Sequence, residues 1–170
     1  MISKIDLRKE LVNKRKTLKT NILSAKICEK IKNQKEYICA KSIFAYYPKK
    51  YEVNILPLFK DINKNWFLPK TNNDELVFYK YNDNDDLIKS EFGVYVPKSN
   101  IEADIVPDLI IVPALSVDKN NYRLGYGKGY YDRFLPKLTG TYIICVCFPF
   151  QMFEEIPSEE FDIKMDRIFC

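Results

Sequence analysis

Residues 108–113, DLIIVP, set four large aliphatics in succession between an aspartate and a proline. An apolar run of that length, bounded by turn-forming residues, reads as a buried strand. A second run, YIICVCF at 142–148, has the same character. Between the two lie a glycine-rich loop and YYDRFLPKL, which reads as a helix. Strand, loop, helix, strand is the βαβ rhythm of an α/β fold with a mostly parallel sheet flanked by helices. The chain has 170 residues, enough to bury one core, and no linker, repeat or low-complexity tract divides it. One domain over 1–170 is expected.

The N-terminal third has a different period. Residues 4–17 are predicted to form a helix with Ser3 as N-cap and Asp6 three positions on, and Ile5, Leu11, Val12 and Leu18 supply a partial apolar stripe. A second helix over about 21–34 aligns Ile22, Leu23, Ile27 and Ile31, with Asn21 as its cap. SIFAYY at 42–47 then reads as a strand ending at Pro48, and Asn54 caps a short helix through Lys60. NWFLP, LVFYKY and FGVYVP read as further extended pieces, with a polar turn at 82–86.

Composition removes several kinds of chemistry. The chain has no histidine, which excludes Ser-His and Cys-His nucleophile pairs and every histidine metal site. Five cysteines are scattered; Cys145 and Cys147 fall two apart on one strand and share a face. No second pair stands at zinc-ligand spacing, so reduced core thiols in a cytoplasmic protein are expected. No window approaches the length of a membrane span. Residues 1–35 carry 11 Lys/Arg against 3 Asp/Glu. Such a segment suits nucleic acid or an anionic ligand, although charge runs usually form a solvated helix face. What remains for chemistry is carboxylates, Lys, Arg, Tyr and backbone amides, a set suited to phosphates and hard cations.

The loop RLGYGKGYYDRFL at 123–135 concentrates that set. Gly125, Gly127 and Gly129 alternate in a chain with five glycines, freeing the backbone for positive φ and close approach to a ligand. Successive amides in such a loop converge on anions, a following helix adds its positive end, and Arg123 and Lys128 add full charges. The spacing matches neither a P-loop nor a dinucleotide fingerprint, and a tight turn is the competing reading. Asp132, directly after the loop, is placed to hold Mg2+ or to complement the helix dipole, with Asp162 and Asp166 as candidate second acids.

The loop closely resembles the signature of the 5-formyltetrahydrofolate cyclo-ligase family: an Arg-Leu-Gly-x-Gly-x-Gly core, an aromatic pair and Asp-Arg. KIDLR at 4–8, YEVN at 51–54, FLPK at 67–70, FGVYVP at 92–97, DLIIVPALSVD at 108–118 and FDIKMDRI at 161–168 resemble other family segments in order. The resemblance implies ATP- and Mg2+-dependent closure of 5-formyltetrahydrofolate to 5,10-methenyltetrahydrofolate. It implies that Lys4, Arg8 and the stretch Arg123, Leu124, Gly125, Tyr126, Gly127, Lys128, Gly129, Tyr130 and Tyr131 bind ATP. Arg123 and Lys128 would act in catalysis, Asp132 and Asp162 would hold Mg2+, and Tyr47, Glu52 and residues 126–130 would bind the folate. Small-molecule partners only, no nucleic acid and no membrane, a monomeric state and a cytoplasmic location go with it. Val117 and Val96 depart from the family pattern, and the basic turn PKKY at 48–51 would suit a polyanionic folate tail. The rival readings are a nucleic-acid binder and another phosphate-handling enzyme of similar architecture.

Overall fold

The computed structural model describes residues 3–17, 20–82, 87–90, 93–159 and 161–170. The chain opens with α1 (Lys4–Lys16), α2 (Asn21–Lys32) and α3 (Lys35–Cys39), then enters the sheet at β1 (Ser42–Phe44). β2 (Asn65–Asn72) and β3 (Glu75–Tyr81) form a hairpin, followed by β4 (Leu87–Lys89) and β5 (Tyr95–Pro97). After β6 (Leu109–Pro113) come β7 (Ser116–Asp118), β8 (Arg123–Leu124), α4 (Tyr130–Phe134), β9 (Tyr142–Val146), β10 (Met152–Phe153) and β11 (Arg167–Phe169).

The main sheet runs β11-β9-β6-β1-β2-β3. Every neighbouring pair is parallel except the β2–β3 hairpin at one edge. The expected α/β architecture is therefore present. The βαβ unit read around the glycine loop places β6 beside β9 in parallel register. Leu109, Ile110, Ile111 and Val112 are all fully buried because helices and loops cover both faces of β6. Alternation sends Leu109 and Ile111 into a core with α2, while Ile110 and Val112 join Cys145, Cys147 and Leu135 in a core on the opposite face. Cys145 and Cys147 do share a face, and all five cysteines are free thiols.

Three helical expectations need correction. α1 is capped by Ser3, whose Oγ accepts from the Asp6 amide, but its buried row is Leu7, Leu11 and Arg15. Ile5 is exposed, and Leu18 and most of the 82–86 turn lie outside the described residues. The i, i+4, i+8 row wins because it packs Leu7 and Leu11 on Leu124 and Ile156. α2 begins after Thr20 rather than being capped by Asn21, and Ile22 points to solvent. The predicted helix through Lys60 is one 3-10 turn, Leu56–Leu58, with Asn54 Oδ1 accepting from the Leu56 amide.

Chain order along the sheet reverses at β1. β2 and β3 follow on one side, and β6, β9 and β11 follow on the other. The segments leaving β1 and β6 diverge there, and that divergence opens a crevice beyond their carboxyl ends. Asp108 fixes the opposite end of the same pair. One carboxylate oxygen accepts from the Lys41 amide, the Ser42 amide and the Ser42 hydroxyl at 2.8–2.9 Å. The Ser42 amide leads in holding this carboxyl below its ordinary range, against a smaller cost of burial. A depressed carboxyl stabilises the fold above its unfolded pKa, and that contribution is lost as pH falls through the folded value. Asp108→Asn is expected to lower the melting temperature at pH 7, with wild type and variant converging as pH drops through about 4 and below. A constant difference across that range would exclude the ionic contribution.

Candidate active site

A cavity of about 690 Å³ occupies the crevice at the reversal point. Its wall includes Tyr46 and Tyr47 from the exit of β1, Pro113 from the end of β6, and the whole stretch Arg123–Asp132. Lys4 and Arg8 enter from α1, Glu52 from the turn after β1, and Asp162 from the segment before β11. The structure thus gathers around one cavity all the residues that the sequence nominates for nucleotide, folate and metal. Asp166 is the exception: its carboxylate accepts from the Ile143 amide and secures the edge of β9.

The glycine loop leaves β8 and turns into α4. Gly127 and Gly129 take φ of 93° and 68°, the left-handed region that costs a residue with a side chain about 1–2 kcal/mol. A Cβ on Gly127 would stand 3.2 Å from the Arg8 guanidinium carbon. Arg8 lies across the loop because its Nε donates to the Gly125 carbonyl at 2.9 Å. α4 is only five residues long, so the expected anion-attracting helix end is a single turn. The positive potential comes instead from side chains, with Lys4, Arg8, Arg123 and Lys128 all on the cavity wall.

Carboxylates balance part of that charge. Arg123, whose side chain is almost fully buried, donates from Nη2 to Asp132 Oδ1 at 2.9 Å. Its Nε is buried without an acceptor among the described residues. Lys4 Nζ lies 3.0 Å from Asp162 Oδ2 and 3.2 Å from Glu159 Oε1. Burial opposes the Lys4 charge, but hydrogen bonds to Asp162 and then Glu159 outweigh it and raise the pKa. The ammonium therefore keeps its proton throughout the neutral range.

The opposite wall is aromatic and carries one buried carboxylate. Tyr47 and Tyr95 pack at a tilt of 59° with ring centroids 5.5 Å apart, leaving aromatic surface for a flat ring. Glu52 is 6% exposed, and its Oε2 accepts from the Lys49 amide at 2.9 Å. Tyr126 reaches from the loop toward Glu52, and burial followed by the Glu52 charge pushes its phenol pKa up. Lys49 Nζ sits over the Tyr126 ring at 5.0 Å.

Sequence reading missed Tyr95, Lys70 and Arg15 at or beneath this cavity, whereas Lys49, from the basic turn expected to suit a folate tail, does line it. Lys70 comes from β2, and its pKa is lowered by burial. Tyr95 arrives by long-range folding of β4–β5, which local pattern does not reveal. Arg15 did carry a signal, since Lys4, Arg8 and Arg15 are spaced four and seven apart and lie on one helix face.

A mostly parallel sheet with a cavity at its switch point, lined by a cationic glycine loop, defines an α/β protein whose site suits an anionic small molecule. The chain belongs to the 5-formyltetrahydrofolate cyclo-ligase family, whose model matches residues 1–170. The 5-formyltetrahydrofolate cyclo-ligase of Mycoplasma pneumoniae is 32% identical over 174 residues, covering 95% of this chain and 94% of that protein. The Haemophilus influenzae enzyme of the same name is 29% identical over 138 residues, covering 74% of this chain and 73% of its own. The Aquifex aeolicus 5,10-methenyltetrahydrofolate synthetase structure superposes with a TM-score of 0.88 at 33% identity, covering 99% of this chain and 89% of that one. The corresponding M. pneumoniae structure gives 0.72 at 29%, covering 99% and 98%. The chain is accordingly an enzyme of the cyclo-ligase class. Among the described residues, no helix is long and apolar enough to cross a membrane.

Gly127→Ala is expected to destabilise the fold by about 1–2 kcal/mol and to displace Arg8 from the Gly125 carbonyl. A thermal melt combined with nucleotide-binding calorimetry checks this. Unchanged stability and affinity would show that the loop does not need its left-handed turn.

Proposed function

We propose that the chain closes 5-formyltetrahydrofolate to 5,10-methenyltetrahydrofolate with conversion of ATP to ADP and phosphate, as a monomer acting on small molecules in the cytoplasm. One observation carries this reading: a single cavity opposes a glycine loop and cations to an aromatic wall holding a buried carboxylate. The first side suits nucleotide phosphates. The second suits a flat heterocycle whose N–H edge donates to Glu52.

The chemistry matches what this histidine-free chain supplies. The formyl oxygen is a poor leaving group. Transfer of the γ-phosphoryl group forms an O–P bond there as the bond to ADP breaks. N10 then attacks the formyl carbon, the C–O bond breaks, phosphate departs and N10 releases its proton. Such steps need positioned phosphates and charge neutralisation. Arg8 and Lys4 lie on one flank of the loop and Lys128 on its rim. The buried, acceptor-less Nε of Arg123 fits an anion.

Asp132 and Asp162 both line the cavity, and two carboxylates completed by phosphate oxygens fit the hard-oxygen preference of Mg2+. When bound, the ion would neutralise phosphate charge. Lys49 lines the cavity whereas Lys50 lies over Tyr51, so Lys49 is the better placed of the two for an anionic folate tail.

Purified protein mixed with 5-formyltetrahydrofolate and Mg-ATP should develop the methenyl absorbance, and omission of either ATP or Mg2+ should abolish it. Asp132→Asn should keep the fold and lower turnover on the order of a hundredfold. Absence of the band from well-folded protein would refute the reaction, and undiminished turnover by the variant would remove Asp132 from the site. Lys49→Glu should reduce kcat/KM for polyglutamylated substrate more than for monoglutamate; equal effects would dismiss the tail contact.

A further inference from the structure

Arg15 lies behind the cavity wall rather than on it. It comes from the last turn of α1, on the buried row with Leu7 and Leu11, and it is 2% exposed. Its Nη2 donates to the Ala114 carbonyl, just beyond the end of β6. Its Nη1 donates to the Tyr126 hydroxyl at 2.9 Å. Among the described residues no carboxylate lies within ion-pair distance of it. The Glu52 carboxylate lies near enough to the Tyr126 phenol to act on it electrostatically.

A buried guanidinium without a direct counter-charge is costly. Its two Nη groups each meet an acceptor, a fork geometry that lysine cannot reproduce, while its Nε is buried without one among the described residues. The consequence is a relay from α1 through Arg15 to Tyr126 of the glycine loop. The Tyr126 oxygen accepts from Arg15, which leaves its one proton to point elsewhere. Arg15 thereby sets the depth to which Tyr126 enters the cavity. The Ala114 contact anchors the same guanidinium to the rigid end of β6. Leu7 and Leu11 pack on Leu124 and keep α1 in register with the start of the loop.

We infer that Arg15 is a positioning residue for the site, acting through the Tyr126 hydroxyl to fix the glycine loop. Its consequence for substrate binding rests on the function proposed above; the fixing of the loop does not. Lys4 and Arg8 remain the cations that face the ligand from the same helix, and Arg15 serves behind them.

The test uses Arg15→Lys, Tyr126→Phe and the double variant, each retaining bulk and, for Arg15→Lys, the charge. Backbone order parameters of the unliganded protein read the loop without reference to any substrate. Residues 125–129 should fall from about 0.85 to below about 0.6 in either single variant, while β6 keeps its wild-type values. The double variant should be no looser than the singles, because both break one relay. In kinetics, Arg15→Lys should raise KM for ATP and for 5-formyltetrahydrofolate together, each about tenfold, because the loop contributes to both sites. Unchanged loop order in Tyr126→Phe, or effects that add in full in the double variant, would overturn the proposal. A loosened loop with KM for both substrates unchanged would overturn the positioning role. Wild-type protein that never turns over would refute the proposed reaction, and the order parameters would still decide the relay.

Discussion

The glycine loop keeps its shape because arginines from two elements hold its carbonyls, its tyrosine and its aspartate. Arg8 takes the Gly125 carbonyl, Arg15 takes the Tyr126 hydroxyl, and Arg123 takes the Asp132 carboxylate. Glycine permits the left-handed turns at 127 and 129 but does not enforce them. The guanidinium forks do, by tying successive loop positions to α1 and to β8. The arrangement concentrates cations against a backbone loop with few carboxylates to balance them, and a polyanionic ligand would complete the balance.

The sheet determines where this happens. β1 and β6 lie side by side with the order of the chain reversing between them, so the two segments that leave them part and open a crevice. The third core, Leu7 and Leu11 against Leu124 and Ile156, brings α1 over that crevice. The β2–β3 and β4–β5 hairpins close its other side with Lys70 and Tyr95. The cationic and aromatic walls therefore come from different parts of the chain, and they meet only once the sheet is assembled.

Legibility in the sequence followed the range of the interactions. The buried aliphatics of β6 and β9 announced themselves because burial on both faces leaves no polar residue in either run. The loop was legible because its glycines, cations and Asp132 are contiguous. The helices were harder: Ile5 and Ile22 looked like core residues, yet both are exposed. The buried row of α1 includes an arginine, which an apolar-stripe reading passes over. The β7–β8 hairpin was hidden between two stronger signals, since its pairing is only two residues long. Asp162 and Asp166 are four apart and chemically alike, and only tertiary placement sends one to the cavity and the other to the edge of β9.

The central claim is that this loop, with α1 laid across it, is a preformed phosphate cradle. Titration of the unliganded protein with Mg-ATP, followed by amide chemical shifts, tests it most directly. The largest changes should fall at residues 4–8 and 123–132, with the loop already ordered before nucleotide is added. Saturable binding whose largest changes lie elsewhere, such as a surface groove lined by Lys32, Lys60 and Lys64, would contradict the claim, as would no binding at all.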